Sequence, residues 1–163
     1  MTNIIEFPRL RIEKPGTTDL EAIALLVNDC WHEIYDDHIP HKLCQQRTPE
    51  SFASILEPKL DKASIALVGD EVIGYADHMS NCIDHLWVVK QHRRQGVGKK
   101  LLEHQLKALR HNGMDSAQAG CESFNQAAID FYTHNGWHVI DEAVETIVPG
   151  LNVGVITFGC RII

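Results

Sequence analysis

The segment from Leu86 to Leu102 constrains this chain most, because it runs from an apolar strand through a basic, glycine-containing turn into an amphipathic helix. Backbone N–H groups converge at such a turn, and the start of the helix adds partial positive charge. Gly96 and Gly98 lack a Cβ atom, so an anion can approach their backbone closely. This arrangement is typical of a phosphate-binding turn.

Four cations surround the same turn, at Arg93, Arg94, Lys99 and Lys100. Positive side chains at the start of a helix oppose its dipole and destabilise it locally, unless a bound anion offsets them. An ordinary loop that uses glycine only for its turn geometry is the alternative, but it leaves the cations unexplained. The sequence therefore predicts a ligand that contains phosphate.

Two common phosphate-binding loops do not fit this segment. A Walker A loop requires G-x-x-x-x-G-K-[ST], which is absent, and a dinucleotide loop requires a third glycine that is missing here. A protein that binds ATP or a dinucleotide through the same turn is still an alternative hypothesis at this point.

The remaining pattern predicts a single domain, residues 1–163, with a mixed sheet covered by helices. Helices are expected after Thr17-Thr18-Asp19 as far as Tyr35 to Asp37, from Thr48-Pro49, over Gly96 to Arg110 and over Asn125 to Thr133, with a loop from His38 to Thr48. The predicted strands are Leu10 to Lys14, Ser64 to Val68, Val72 to His78, Ile83 to Val89, Ser116 to Cys121, Trp137 to Thr146 and Val153 to Ile162.

Composition excludes several classes of function. A net charge of −7 argues against a nucleic-acid partner, which requires clustered cations along a surface. No apolar run approaches the roughly 20 residues of a membrane helix, and Met1 to Glu6 has no signal-peptide pattern. Five scattered cysteines without a C-x-x-C pair predict reduced thiols in the cytoplasm, and we expect no metal site because His and carboxylate spacing is unconvincing.

Two segments resemble signature motifs of the GNAT superfamily of N-acetyltransferases. Arg93-Arg94-Gln95-Gly96-Val97-Gly98 is similar to the motif Q/R-x-x-G-x-G/A, and the preceding Leu86 to Val89 is similar to the family's fourth strand. The later Asn125 to Trp137 resembles N-x-x-A-x-x-F-Y-x-x-x-G-F/W. The resemblance covers nearly the whole chain. It implies an α/β fold with a mixed, mostly antiparallel sheet and flanking helices, splayed between strands four and five.

The resemblance further implies an enzyme that moves the acetyl group of acetyl-CoA directly to a primary amine of a small molecule or peptide, in a ternary complex. Trp87, Val88 and Val89 would pair with the pantetheine arm, and Asn125 would hydrogen-bond it. The pyrophosphate would lie on the loop formed by Arg93, Arg94, Gln95, Gly96, Val97, Gly98 and Lys99. The chain departs from the family where Pro, Tyr and Gly are common, at Lys90, His92 and Arg94.

The resemblance also suggests catalytic roles. Tyr132 would lie near the thioester sulfur and donate its proton there, since a phenol is protonated at neutral pH; the alternative is a tyrosine that only packs in the core. The N–H of Val88, left free by a bulge in the strand, would polarise the carbonyl group. Asp84 is the predicted base, and Glu122 is the second choice.

The acceptor side is predicted from the family as well. Trp31, Tyr35 and Asp36 lie at the end of the first helix, a region that lines the acceptor site in the family. A catalytically silent sensor that binds acyl-CoA is the alternative function. The late strands would also allow a homodimer, by analogy with the family.

Overall fold

A computed structural model describes residues 8–163. The segment Met1 to Glu6, to which the signal-peptide prediction refers, lies outside these residues. The helices of the described residues are α1 (Leu20–Tyr35), α2 (His41–Cys44), α3 (Pro49–Leu56), α4 (Val97–His111) and α5 (Gln126–His134). The strands are β1 (Leu10–Glu13), β2 (Ala63–Val68), β3 (Glu71–Met79), β4 (Cys82–Val88), β5 (Ser116–Glu122), β6 (His138–Val148) and β7 (Leu151–Arg161).

The strands form one sheet in the order β1-β2-β3-β4-β5-β7-β6. Neighbouring strands are antiparallel, except that β4 and β5 are parallel. The β4–β5 pairing is limited to Cys82 with Gln118 and Ile83 with Ala119, although β4 continues to Val88. The two strands therefore separate beyond Ile83. This confirms the predicted mixed, mostly antiparallel sheet with a splay between strands four and five.

Helices cover both faces of this sheet, because successive strand residues point to opposite faces. Ile65, Leu67 and Tyr75 pack in one core with α1 and α3, whereas the neighbouring Ala66 and Ala76 pack against α4. A further core joins α4 and α5 to β5 and β7. The diverging ends of β4 and β5 consequently have α1 on one side and α4 with α5 on the other.

The predicted loop from His38 to Thr48 contains one structured element, the short helix α2. Pro40 immediately precedes this helix, and its carbonyl oxygen accepts hydrogen bonds from Leu43 N–H and Cys44 N–H, at 2.9 and 3.2 Å. Cys44 is buried. A four-residue helix leaves too little periodicity to be recognised in the sequence.

Within residues 8–163, none of the helices combines the length and the apolar character that a membrane-crossing helix requires.

Candidate active site

The open edge of β4 is the first component of the site. Val89 N–H donates to the carbonyl oxygen of Ile73 on β3 at 3.0 Å, and hydrogen-bonding direction alternates along an antiparallel strand. The N–H groups of Leu86 and Val88 therefore point away from β3, towards the side where β5 has diverged. Of the three residues predicted to pair with the pantetheine arm, Val88 presents its N–H to this edge, while Trp87 and Val89 direct theirs to β3.

The strand irregularity predicted at Val88 lies elsewhere. Val88 pairs with Gly74 in a regular register that continues as far as Asp77 and His85, whereas His78 pairs with Ile83. Asp84 is therefore the additional residue, and the prediction of a bulge at Val88 is wrong. The direction of the Val88 N–H follows from strand alternation and from the splay, without a bulge.

The glycine turn leads directly into α4. Gly96 is the N-cap residue, with a φ of 81° that favours glycine. The first hydrogen bond inside the helix runs from Lys100 N–H to Gly96 O at 3.1 Å, so the N–H groups of Val97, Gly98 and Lys99 have no partner within the helix. Gly96 also has no side chain that could cap them. N–H groups left without partners at the start of a helix favour an anion nearby, and these follow directly after the end of β4.

Gly98 is required for packing at the same place. A Cβ atom at this position would lie 3.1 Å from Cε2 of Phe131, on α5. That distance is tighter than an ordinary van der Waals contact, so a small residue lets α5 pack closely against the start of α4.

The cations around the turn do not all face the same way. The Arg93 guanidinium donates from Nε to Val88 O at 2.8 Å and pairs through Nη1 with Glu33 on α1 at 2.9 Å. Arg93 therefore ties α1 to the end of β4. Arg94, Lys99 and Lys100 are exposed, and none of them forms an ion pair with any described residue.

Arg94 adopts a left-handed backbone conformation, with a φ of 60°. This conformation costs a residue other than glycine roughly 1–2 kcal/mol, and Arg94 is the position at which the family often has glycine. We expect Arg94→Gly to raise the free energy of unfolding by about 1 kcal/mol and the Tm by about 2–4 °C, measured by thermal denaturation. Gln95→Gly is the control and should be destabilising. Equal destabilisation by both variants would contradict this interpretation.

Helix α5 carries the two residues of the second motif. Asn125 is its N-cap, and Oδ1 accepts a hydrogen bond from Ala128 N–H at 3.1 Å, which leaves its Nδ2 group for another partner. Tyr132 is 6% exposed, and its ring packs against Trp137 and Phe158. Burial raises the pKa of Tyr132 far above its ordinary value, so the hydroxyl keeps its proton at neutral pH.

The surroundings of Tyr132 locate it relative to the splay. Tyr132 packs in the same hydrophobic core as Ile83 of β4 and Cys121 of β5. Ile83 is in the second β4–β5 pair, and Cys121 follows the paired part of β5. Tyr132 consequently lies close to the point at which the two strands part.

A cleft of about 370 Å³ lies on the α1 side of the splay. It contains aromatic rings and carboxylates, among them those of Trp31, Tyr35, Trp87, Asp84 and Glu122. The structure therefore brings together Trp31 and Tyr35, which were predicted to bind the acceptor, and Asp84, which was predicted as the base. The rings of Trp31 and Tyr35 stack with centroids 4.5 Å apart and planes at 2°.

Asp36, predicted to bind the acceptor, and Glu122, the second choice for the base, each interact with another side chain of the protein. Asp36 is not among the residues that line the cleft, and its Oδ1 is 2.6 Å from Nδ1 of His32. Glu122 Oε2 accepts a hydrogen bond from the Tyr35 hydroxyl at 2.5 Å. Burial and the Glu122 carboxylate raise the pKa of Tyr35 above its ordinary value, so the phenol stays a donor.

His85 also lines the cleft, and the sequence analysis missed it. Its Nδ1 lies 2.9 and 3.0 Å from the two carboxylate oxygens of Asp77, which is fully buried. The buried Tyr75 hydroxyl donates to Asp77 Oδ2 at 2.7 Å. Tyr75, Asp77 and His85 thus form a hydrogen-bonded row on one face of β3 and β4, which ends in the cleft.

The bulge explains why the sequence did not reveal this row. Met79 pairs with Cys82, and continuing that register would place Asp84 opposite Asp77. The additional residue at Asp84 moves His85 into that position instead. Strict alternation along β4 would therefore place Asp84, and not His85, opposite Asp77.

Asp84 remains close to the row. Its Oδ2 forms an ion pair with Lys59 Nζ and is 3.7 Å from His85 Nδ1. Asp77, Asp84 and His85 each offer an atom within 4.8 Å of the others, a spacing that a metal ion could use. Lys59, Tyr75 and His85 engage the carboxylates of this group through an ion pair and hydrogen bonds.

Comparison with known structures reveals the same fold in acetyltransferases. An N-acetyltransferase from Staphylococcus aureus Mu50 has a TM-score of 0.76 at 15% identity, over 95% of this chain and 99% of that chain. The PaiA N-acetyltransferase from Thermoplasma acidophilum, in complex with coenzyme A, has a TM-score of 0.74 at 17% identity, over 91% of this chain and 98% of that chain. YncA from Salmonella typhimurium, with its cofactor acetyl-CoA, has a TM-score of 0.73 at 18% identity, over 94% of each chain. Among curated proteins, none matches the sequence significantly.

The sequence model of the acetyltransferase (GNAT) family matches residues 20–137. This range is more than half of the chain and contains the splayed strands, the glycine turn and the segment from Asn125 to Trp137. The structural likenesses, at low identity, show the shared fold. Sequence match and splayed sheet together establish that this chain belongs to the acetyltransferase (GNAT) family.

Proposed function

We propose that this protein transfers the acetyl group of acetyl-CoA to a primary amine of a small molecule or peptide, by direct transfer in a ternary complex. The observation that carries the proposal is the open edge of β4, which has the glycine turn at one end and Tyr132 near the other. The PaiA and YncA structures, which hold coenzyme A and acetyl-CoA on this fold, support the choice of cosubstrate.

The residues present fit such a cosubstrate. The N–H groups of Val97, Gly98 and Lys99 would bind the pyrophosphate, with Arg94 as a further cation. The Val88 N–H and the Asn125 Nδ2 group would hydrogen-bond the pantetheine arm. When bound, acetyl-CoA supplies the thioester on which an amine can act.

The chain itself supplies positioning and proton transfer. We assign the N–H of Leu86, the second free N–H of this edge and the one further from the glycine turn, to the thioester carbonyl oxygen in place of Val88, because developing negative charge there strengthens the hydrogen bond. Tyr132, protonated in its buried site, gives its proton to the departing sulfur. The cleft at Trp31 and Tyr35 orients the amine, and its carboxylates favour a cationic group over a neutral one.

A thiol-release assay tests this proposal. Purified protein and acetyl-CoA are incubated with spermidine, tryptamine or a tetrapeptide that has a free alanine N-terminus, and free coenzyme A is quantified chromatographically, so that protein cysteines do not contribute. We expect at least one amine to increase release above the rate without amine, with the acetylated amine as product. Binding of acetyl-CoA without turnover on any amine would instead identify the acyl-CoA sensor.

Thermal-shift measurements test the nucleotide-binding alternative. A ligand present far above its Kd raises the apparent stability of the protein that binds it. We expect stabilisation by acetyl-CoA, and none by ATP or NAD at equal concentration. Stabilisation by ATP but not by coenzyme A would contradict the proposed cosubstrate.

We further propose a cytoplasmic homodimer. All five cysteines are free, as expected in a reducing compartment. The edge strand β6 exposes Val139, Ile140 and Val144, the last to 73%, which a second chain could cover. Light scattering should give about twice the chain mass of 18.4 kDa. A monomer mass at micromolar concentration would contradict the dimer.

A further inference from the structure

We infer that His85 is the catalytic base of this site and that Asp77 is the residue that positions it. The inference rests on the proposed amine acetylation and assigns the residue that accepts the proton of the amine. It replaces Asp84, which the sequence pattern favours, in that role.

The hydrogen bonds of the row determine how His85 is oriented. Both carboxylate oxygens of Asp77 lie within 3.0 Å of His85 Nδ1, so the neutral imidazole carries its proton on Nδ1 and keeps a lone pair on Nε2. The side chain of His85 is 19% exposed and borders the cleft. A nitrogen lone pair is therefore available on the side where the amine would bind.

The surroundings of Asp77 suit it to positioning His85. It is fully buried, and burying a carboxylate is costly unless hydrogen bonds compensate. The Tyr75 hydroxyl donates one such bond and His85 donates the other. Among the described residues, Tyr75 and His85 are the side chains that hydrogen-bond Asp77, and the Asp84 carboxylate lies within 4.8 Å of it.

The carboxylates of the cleft are less suitable bases. Asp84 is already engaged in an ion pair with Lys59 Nζ. Glu122 Oε2 already accepts the Tyr35 hydroxyl at 2.5 Å. Glu145 lies on the exposed strand β6.

The proton balance of the reaction is complete with these residues. His85 Nε2 takes one proton from the ammonium form of the acceptor, and the neutral amine then forms the new C–N bond as the C–S bond breaks. Tyr132 protonates the sulfur that leaves, and the second amine proton returns Tyr132 to its phenol form. The proton on His85 passes to solvent, so the net release is one proton for each amide formed.

Several titratable groups surround His85. Those that adjoin it are Tyr75 and Asp77 on β3, Asp84 on β4 and Lys59 before β2. Those across the cleft are Tyr35, Arg47, Cys121, Glu122 and Glu145. Assignment of a pH effect therefore requires single variants rather than the profile of the wild type alone.

The kinetic test compares His85→Gln with Asp84→Asn, using the fastest of spermidine, tryptamine and the tetrapeptide. We expect His85→Gln to lower kcat/KM for the amine by about 100-fold or more at neutral pH and to leave acetyl-CoA affinity unchanged. The deficit should shrink as pH approaches the pKa of the amine, since solvent then supplies the neutral nucleophile. Asp84→Asn, which changes a cleft carboxylate but not the proposed base, should cost less than His85→Gln, and His111→Gln, at the exposed end of α4, is the matched histidine control that should keep the wild-type kcat/KM.

A structural role of His85 would give a different result. A deficit of the same size at every pH, or wild-type kcat/KM for His85→Gln, would overturn the inference while leaving the proposed function intact. Large loss in Asp84→Asn but not in His85→Gln would return the role to Asp84. Absence of thiol release from wild type with every amine would overturn the proposed function and the base together.

NMR can determine which ring nitrogen of His85 carries the proton, and this measurement does not depend on enzymatic activity. Long-range ¹H–¹⁵N spectra of labelled protein distinguish the two neutral imidazole forms, and we expect the Nδ1–H form in the wild type. In Asp77→Asn the amide oxygen should face the Tyr75 hydroxyl and the NH₂ group should face His85, which moves the proton to Nε2. An Nε2–H form in the wild type would overturn the positioning role of Asp77.

Discussion

Tyr132→Phe is expected to lower kcat by about 100-fold or more, while the affinity for coenzyme A stays within about twofold of the wild type. The change removes only the hydroxyl group, so the ring contacts with Trp137 and Phe158 persist. The departing thiolate then loses the donor that we assign to it. Kinetics of thiol release, together with calorimetric binding of coenzyme A, measure the two effects separately.

The raised pKa of Tyr132 adds a prediction about pH. The folded protein holds the phenol protonated to higher pH than free tyrosine, because burial disfavours the phenolate. Activity should therefore not fall between neutral pH and the ordinary range of tyrosine through loss of this proton. Undiminished kcat in Tyr132→Phe, with an unchanged unfolding temperature, would show that Tyr132 only packs in the core.

The double variant Arg94→Gly/Lys99→Ala is expected to weaken binding of coenzyme A by about 10- to 100-fold. Both side chains are exposed at the start of α4, where Val97, Gly98 and Lys99 have N–H groups without partners in the helix. A hydrogen bond to a charged group contributes about 1.5–3 kcal/mol, and each 1.4 kcal/mol is a factor of ten in affinity. Screening by solvent places the expected loss below the sum of two such bonds.

The double variant Lys42→Ala/Lys107→Ala is the matched control, because it removes two exposed cations from α2 and from the far part of α4. Its affinity for coenzyme A should equal that of the wild type. Calorimetry at low and high salt should show that the deficit of the loop variant shrinks as salt screens the charges. Equal losses in both variants would mean that net charge, and not the turn, attracts the ligand.

Local patterns predicted the elements that carry the proposed cofactor site. The turn at Gly96 and Gly98 is encoded within a few residues, and the helical spacing of Asn125 and Tyr132 places both on α5. The splay between β4 and β5 was predicted from the resemblance, because it depends on how strands distant in sequence pair. Local chemistry and family motifs were therefore sufficient to predict these elements, on which the proposed cofactor site depends.

Features that depend on register or on distant contacts were not predictable. The bulge at Asp84 brings His85 opposite Asp77, and nothing in the sequence of β4 marks it. Arg93 belongs to the loop in sequence, but Glu33 on α1 and Val88 O engage its guanidinium. Pairing with distant residues therefore separates Arg93, which joins α1 to β4, from the exposed Arg94, Lys99 and Lys100.

The most direct test of where coenzyme A binds is an amide-resolved NMR titration of the labelled protein with coenzyme A. The largest shifts should occur at the amides of Leu86 and Val88 on β4 and at Val97, Gly98 and Lys99 on α4, at concentrations where ATP leaves them unchanged. If those amides keep their positions while coenzyme A shifts another surface, or shifts none, the splayed edge of β4 is not the cofactor site.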